Sequence, residues 1–95
     1  MKVRWTRLAL ADLDSVYEYI APDDPSAALR LMERIERAVS VLSRHLEAGR
    51  AGRIGGTREL VVSGTPFIVP YRFRRDAIQV LAVIHASRKW PTSLQ

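Results

Sequence analysis

Thirteen arginines, two lysines, two histidines and no cysteine supply most of the reactive side chains of this 95-residue chain. One histidine, His85, closes the apolar run AIQVLAVIH and is followed three residues later by Arg88. RNA cleavage without a metal needs a base for the 2′-hydroxyl, an acid for the leaving oxygen and cations around the phosphorane. Histidine suits either proton role, and arginine suits the charge-stabilising one. The candidate catalytic set for that chemistry is His85, Arg88 and Arg58, with Arg72 expected beside them on one sheet face. Arg50, Arg53, Arg72, Arg74 and Lys89 are candidates for holding a polyanionic or acidic partner, and Trp90 for stacking on it. Plain structural readings stand next to these. A strand-end histidine often serves only as a hydrogen-bonding residue, Arg88 suits a surface ion pair, and Trp5 and Trp90 suit core or edge packing.

Other chemistries lack their residues. His45 and His85 lie in different elements and there are no thiols, so no metal site and no cofactor is expected. The glycine-rich GRAGRIGG lacks the lysine and hydroxyl pair that opens a phosphate-binding helix. No serine has the surroundings of a nucleophile elbow.

The elements that must position the arginines follow from patterning. Lys2–Trp5 reads as a first strand and Thr6 as a helix N-cap. Ala9, Leu13, Val16, Tyr17 and Ile20 then repeat at helical spacing over residues 7–21. Pro22 ends that helix, and Asp24–Pro25 starts another, whose stripe of Ala28, Leu31, Ile35, Ala38, Leu42 and Leu46 runs to about residue 46. The short link makes the two a hairpin. Three strand-like runs follow, Arg58–Ser63, Phe67–Phe73 and Ala77–His85, joined by turn-length connections. Alternation puts Ile68, Arg72 and Arg74 on one face of the middle run and Val69, Tyr71 and Phe73 on the other; in the last, apolar run it groups Leu81, Val83 and His85. Pro70 interrupts the middle run and demands an edge or a bulge there. The expected fold is a single α/β (α+β) domain over residues 1–95. An antiparallel helix hairpin covers one face of a curved, mostly antiparallel sheet of three to four strands, and the arginine-rich face is left open.

Charge supports an open basic face. Residues 1–47 carry seven bases against eight acids, and residues 48–95 carry eight bases against only Glu59 and Asp76. Such asymmetry fits RNA, DNA or an acidic protein as partner. No run of apolar residues approaches a membrane span or a signal peptide, so a cytoplasmic protein without membrane contact is expected.

Four stretches, WTRLALADLDSVYEYIA, DPSAA, GRIGGTRELVVSGTPFIVPYRF and VLAVIHASRKWP, resemble the corresponding parts of RelE/ParE toxins across nearly the whole chain. The resemblance implies a growth-arresting, plasmid-stabilising toxin. A cognate antitoxin would neutralise it, with a disordered segment that folds across the toxin surface as a hetero-oligomer. It also implies one of two targets. ParE-like members bind and inhibit DNA gyrase without chemistry. RelE-like members enter the ribosome and cut mRNA without a metal. The mRNA-cutting members carry an arginine at the start of the third strand, where this chain has Phe67 or Ile68, and a lysine-rich open face, where this chain has only Lys2 and Lys89. His85, Arg88 and Trp90 resemble a His-x-x-Arg-x-Trp ending of many family members whose target is unsettled. The reading leans to gyrase, with the nuclease as the alternative.

Overall fold

Strand β1 (Lys2–Trp5) passes directly into helix α1 (Arg7–Ile20); the computed structural model describes residues 1–91, 93 and 94. Thr6 Oγ1 accepts the Ala9 amide at 3.2 Å, which satisfies one of the donors that every helix start leaves free. Helix α2 (Pro25–Ser40) opens as its sequence predicts: Asp24 Oδ1 accepts the Ala27 amide at 3.0 Å, and proline occupies the first turn. It ends six residues or so before its apolar stripe does. The Ser40 and Ser43 hydroxyls donate to the carbonyls of Arg37 and Ser40, local bonds that compete with the helix, and the chain tightens into a 3₁₀ turn over Val41–Ser43.

The sheet comprises β1, β2 (Arg50–Ala51), β3 (Arg58–Val61), β4 (Phe67–Arg74), β5 (Ala77–Val80) and β6 (Ile84–His85). Its order is β1-β5-β4-β3-β2, with β6 paired to the start of β4. β1 runs parallel to β5, and every other pair is antiparallel. The predicted helix hairpin on a mostly antiparallel sheet is therefore present, with two-residue strands β2 and β6 added. The apolar last run is central as expected, since β5 lies between β1 and β4, but it divides into β5 and β6.

Pro70 causes that division. Tyr71 pairs with Val80 and Ile68 with Ile84, so the three residues Leu81–Val83 lie opposite the two residues Val69 and Pro70. This is a bulge on the partner strand, next to the proline. The Leu81 amide still donates to the Pro70 carbonyl at 2.9 Å. Proline has no N–H to return, and the Leu81 carbonyl accepts the Thr6 hydroxyl at 3.2 Å instead. One threonine thus caps α1 and replaces the missing ladder donor.

The core lies between the helices and one sheet face. Ala9, Met32, Ile35, Val39 and Leu42 pack on Val62, Phe67, Val69, Tyr71, Ile78 and Val80, with Trp5 partly buried at the edge. A second, smaller cluster of Leu81, Ala82, Ile84 and Leu94, joined by Ile54 and Trp90, packs separately. The segment after β6 thereby folds back onto the chain. Among the described residues no helix is long and apolar enough to cross a membrane.

Candidate functional site

The arginines divide into three groups, because strand pairing fixes which face each residue occupies. Arg58 pairs with Tyr71 and Leu60 with Val69, so Arg58 belongs to the helix side of the sheet. Its Nη1 donates to the carbonyl of Gly49 at 2.7 Å, which holds the loop before β2. The expectation that Arg58 joins Arg72 on the open face is incorrect. The apolar alternation of Leu60 and Val62 toward the core carries Arg58 with it.

Glu59, one residue on, points the other way and is almost completely buried at 3% exposure. Arg53 donates to it three times, through its backbone amide at 2.8 Å, Nε at 3.0 Å and Nη2 at 3.2 Å. Arg50 adds Nε and Nη2 on Oε1 at 3.3 and 3.2 Å. Burial opposes ionisation of Glu59, but the hydrogen bonds from Arg53 and Arg50 outweigh it and hold the carboxyl below its ordinary range. The Arg53 guanidinium also lies 3.6 Å from the centre of the Trp90 ring. Arg50, Arg53 and Trp90, expected to hold a partner, also form a structural cluster around Glu59, with both arginine side chains still about half exposed. The Trp90 indole nitrogen is buried with no hydrogen-bond partner among the described residues. Sequence reasoning missed Glu59. The signal was a lone carboxylate among arginines, at a strand position facing away from the core.

The third group lies on the open face. Arg4 pairs with Gln79, which pairs with Arg72; Lys2 pairs with Ala77, which pairs with Arg74. These four cations form two rows across β1, β5 and β4, and among the described residues none makes an ion pair. Arg72 Nε donates to Gln79 Oε1 at 2.9 Å, which fixes its direction. Here the open basic face is present, with Lys2 and Arg4 added to the expected Arg72 and Arg74, but only at this end of the sheet. Farther along the same face Glu59, Ile68, Pro70 and Ile84 are buried, Ile84 in the cluster with Ile54, Trp90 and Leu94.

His85 lies elsewhere. The bulge at Leu81–Val83 reverses the alternation, so Leu81 faces the small cluster while Val83 faces the main core and His85 pairs beside Phe67. The predicted common face of Leu81, Val83 and His85 is therefore broken. The His85 ring meets Phe67 edge-on, with centroids 5.4 Å apart at 82°. It opens on a cavity of about 320 Å³ between α1 and the chain after β6, lined by Asp12, Ser15, Tyr19, Ser87 and Arg88 among others. His85 and Arg88 are thus brought together, without Arg58 or Arg72. His85 Nδ1 accepts the Ser87 amide at 3.1 Å and lies 2.7 Å from the Ser87 hydroxyl. An Nδ1 that accepts this N–H goes with the tautomer whose proton is on Nε2. Lys89 is exposed beside this segment.

Asp12 was not expected here. Its Oδ2 accepts the Val83 amide at 2.9 Å, which ties α1 to the bulge. Burial pushes its carboxyl up, against the Val83 hydrogen bond and the Arg88 charge, which lower it. The charged form is the disfavoured one in the folded state. This contribution to stability is therefore present in acid and lost as pH rises through the raised pKa. Asp12→Asn keeps an acceptor for Val83 and removes the charge, so its thermal stability at pH 7 should equal or exceed that of the natural chain. Asp12→Ala strands the amide and should cost about 1–2 kcal/mol in the same melt.

The family model of the ParE toxin of type II toxin-antitoxin system, parDE, matches residues 3–90. The Y4kP protein of Sinorhizobium fredii (strain NBRC 101917 / NGR234) is 47% identical over 93 residues, covering 98% of this chain and 96% of the relative. Toxin RelE2 of Caulobacter vibrioides is 34% identical over 87 residues, covering 92% and 97%. Among solved structures, the chromosomal ParDE toxin–antitoxin system from P. aeruginosa superposes with a TM-score of 0.84 at 33% identity, covering 90% of this chain and 95% of that one. With the fold and these relatives in agreement, the chain belongs to the ParE toxin family and is a toxin of a type II toxin–antitoxin system.

Proposed function

We propose that this toxin arrests growth by binding DNA gyrase in the cytoplasm, as ParE-like members do, with no chemical step of its own. The observation that carries the reading is the dispersal of the nuclease set. Arg58 holds a loop on the helix side, Arg50 and Arg53 are bound to Glu59, and His85 Nδ1 is occupied by Ser87. A ribonuclease needs a base, an acid and cations around one phosphate. The dispersal of these side chains supports binding over cleavage. A cognate antitoxin is the second partner. Exposed apolar side chains on the helices, Leu10, Tyr19 and Leu29 among them, offer it area that isolated surface ion pairs do not match in energy.

The cavity shared by His85 and Arg88 is the observation favouring the other reading, an mRNA endoribonuclease acting on the ribosome. His85→Ala separates the two. Under the binding account the variant still arrests growth when induced without antitoxin, at a dose close to that of the natural chain. Under the nuclease account, loss of an acid–base group lowers cleavage by about 10²–10⁴-fold, and the arrest disappears. A folded, soluble His85→Ala protein that no longer slows growth sinks the gyrase reading.

A further inference from the structure

We propose that the rows Lys2–Arg4 and Arg72–Arg74 form a docking surface for the phosphate backbone of double-stranded DNA. The inference rests on the gyrase reading, because gyrase works with a DNA duplex bound to it. Residues two apart in a strand are about 6.7 Å apart, and strands separated by one neighbour are about 9.6 Å apart. The four cations therefore form a grid, held on β1 and β4 with β5 between them. Lys2, Arg4 and Arg74 are exposed and Arg72 is half-exposed, so the grid meets solvent rather than the chain's own residues. The carboxylates on this sheet's strands and turns are Glu59, already held by two arginines, and Asp76 in the turn between β4 and β5.

Charge alone fits any polyanion, and the missing stacking surface selects the duplex. Single-stranded nucleic acid is gripped by aromatic side chains on which its bases stack. The grid has none: Ala77 and Gln79 separate its rows, and Trp90 is packed under Arg53 in the other cluster. Rigid side chains that donate in a fork suit the stacked, regularly charged backbone of a duplex. This contact adds to the gyrase complex an anchor on the enzyme's DNA rather than on its protein.

Binding of the full-length toxin to a plain 20-bp duplex, followed against salt concentration, tests the surface. Four phosphate contacts predict a log–log slope of about −3.6. Arg4→Gln and Arg72→Gln should each flatten it by about 0.9, whereas Arg30→Gln, on exposed α2 surface, should leave it unchanged. The Arg4 and Arg72 variants should melt close to the natural chain. No binding at low salt, equal slopes in all four proteins, or tighter binding to a single-stranded RNA of the same length overturns the proposal. Gyrase inhibition without duplex binding removes this surface and leaves the gyrase reading intact. Duplex binding with the expected slopes but uninhibited gyrase removes that reading and leaves the surface.

Discussion

Replacing Glu59 by glutamine is expected to lower stability by about 2–3 kcal/mol and to loosen the chain after β6. Removing one partner of a buried ionic cluster leaves the other charges uncompensated, which costs about 3–5 kcal/mol when both sides are buried. Here the carboxylate is buried, but Arg50 and Arg53 remain about half exposed and can turn to water, so the lower figure applies. The loss propagates because Arg53 uses the same guanidinium to cover Trp90. With Arg53 freed, Trp90 loses its cation, and trypsin should cut after Arg88 and Lys89 faster than in the natural chain. The dependence on pH has a definite sign. Glu59 titrates below its ordinary range when folded, so its contribution is complete above the unfolded value and disappears as pH falls through the folded one. Urea titrations of the natural chain and of Glu59→Gln should therefore be fully separated above the ordinary glutamate value and converge as pH falls through the lowered folded one. Parallel curves at every pH would show that the charge of Glu59 contributes nothing.

Gly49→Ala is expected to be similarly damaging, by about 2–3 kcal/mol, for a steric reason. A Cβ at Gly49 would lie 2.6 Å from Tyr71 Cε1 and 2.9 Å from the Glu59 backbone carbonyl. Neither neighbour yields easily. Tyr71 is fully buried, and its hydroxyl donates to Leu46 O at 2.6 Å while accepting the Gly49 amide at 2.8 Å. The alanine methyl pushes apart the latch that attaches the end of the helical layer to the sheet. A thermal melt should show a fall of roughly 10 °C or more for a domain this small. A melt unchanged within 2–3 °C would mean that the loop shifts without cost.

What could be read from the residues alone was what depends on near neighbours. Thr6, Asp24 and Pro25 announce their helices because a cap acts within one turn. Arg72 and Arg74 share a face with each other because β4 alternates without interruption. Two nonlocal facts defeated the same logic. The parallel pairing of β1 with β5 brings Lys2 and Arg4 beside Arg72 and Arg74, and no local pattern encodes a partner more than seventy residues away. The bulge at Leu81–Val83 turned His85 toward the helices, although those three residues include no glycine or polar residue to mark it. Pro70 did mark it, from the opposite strand. The placement of Arg58 was recoverable: Leu60 and Val62 share its parity and point to the core. The role of Glu59 depends on Arg53 reaching back from a loop, which composition shows only as a surplus of arginine.

Binding without cutting is the mode of action proposed for this toxin. The most direct measurement adds the purified toxin, in parallel, to a gyrase supercoiling reaction and to translating ribosomes carrying a defined mRNA. Inhibited supercoiling with the message left full-length is the result predicted here. A message cut in the ribosome, with gyrase working at its normal rate in excess toxin, would contradict it.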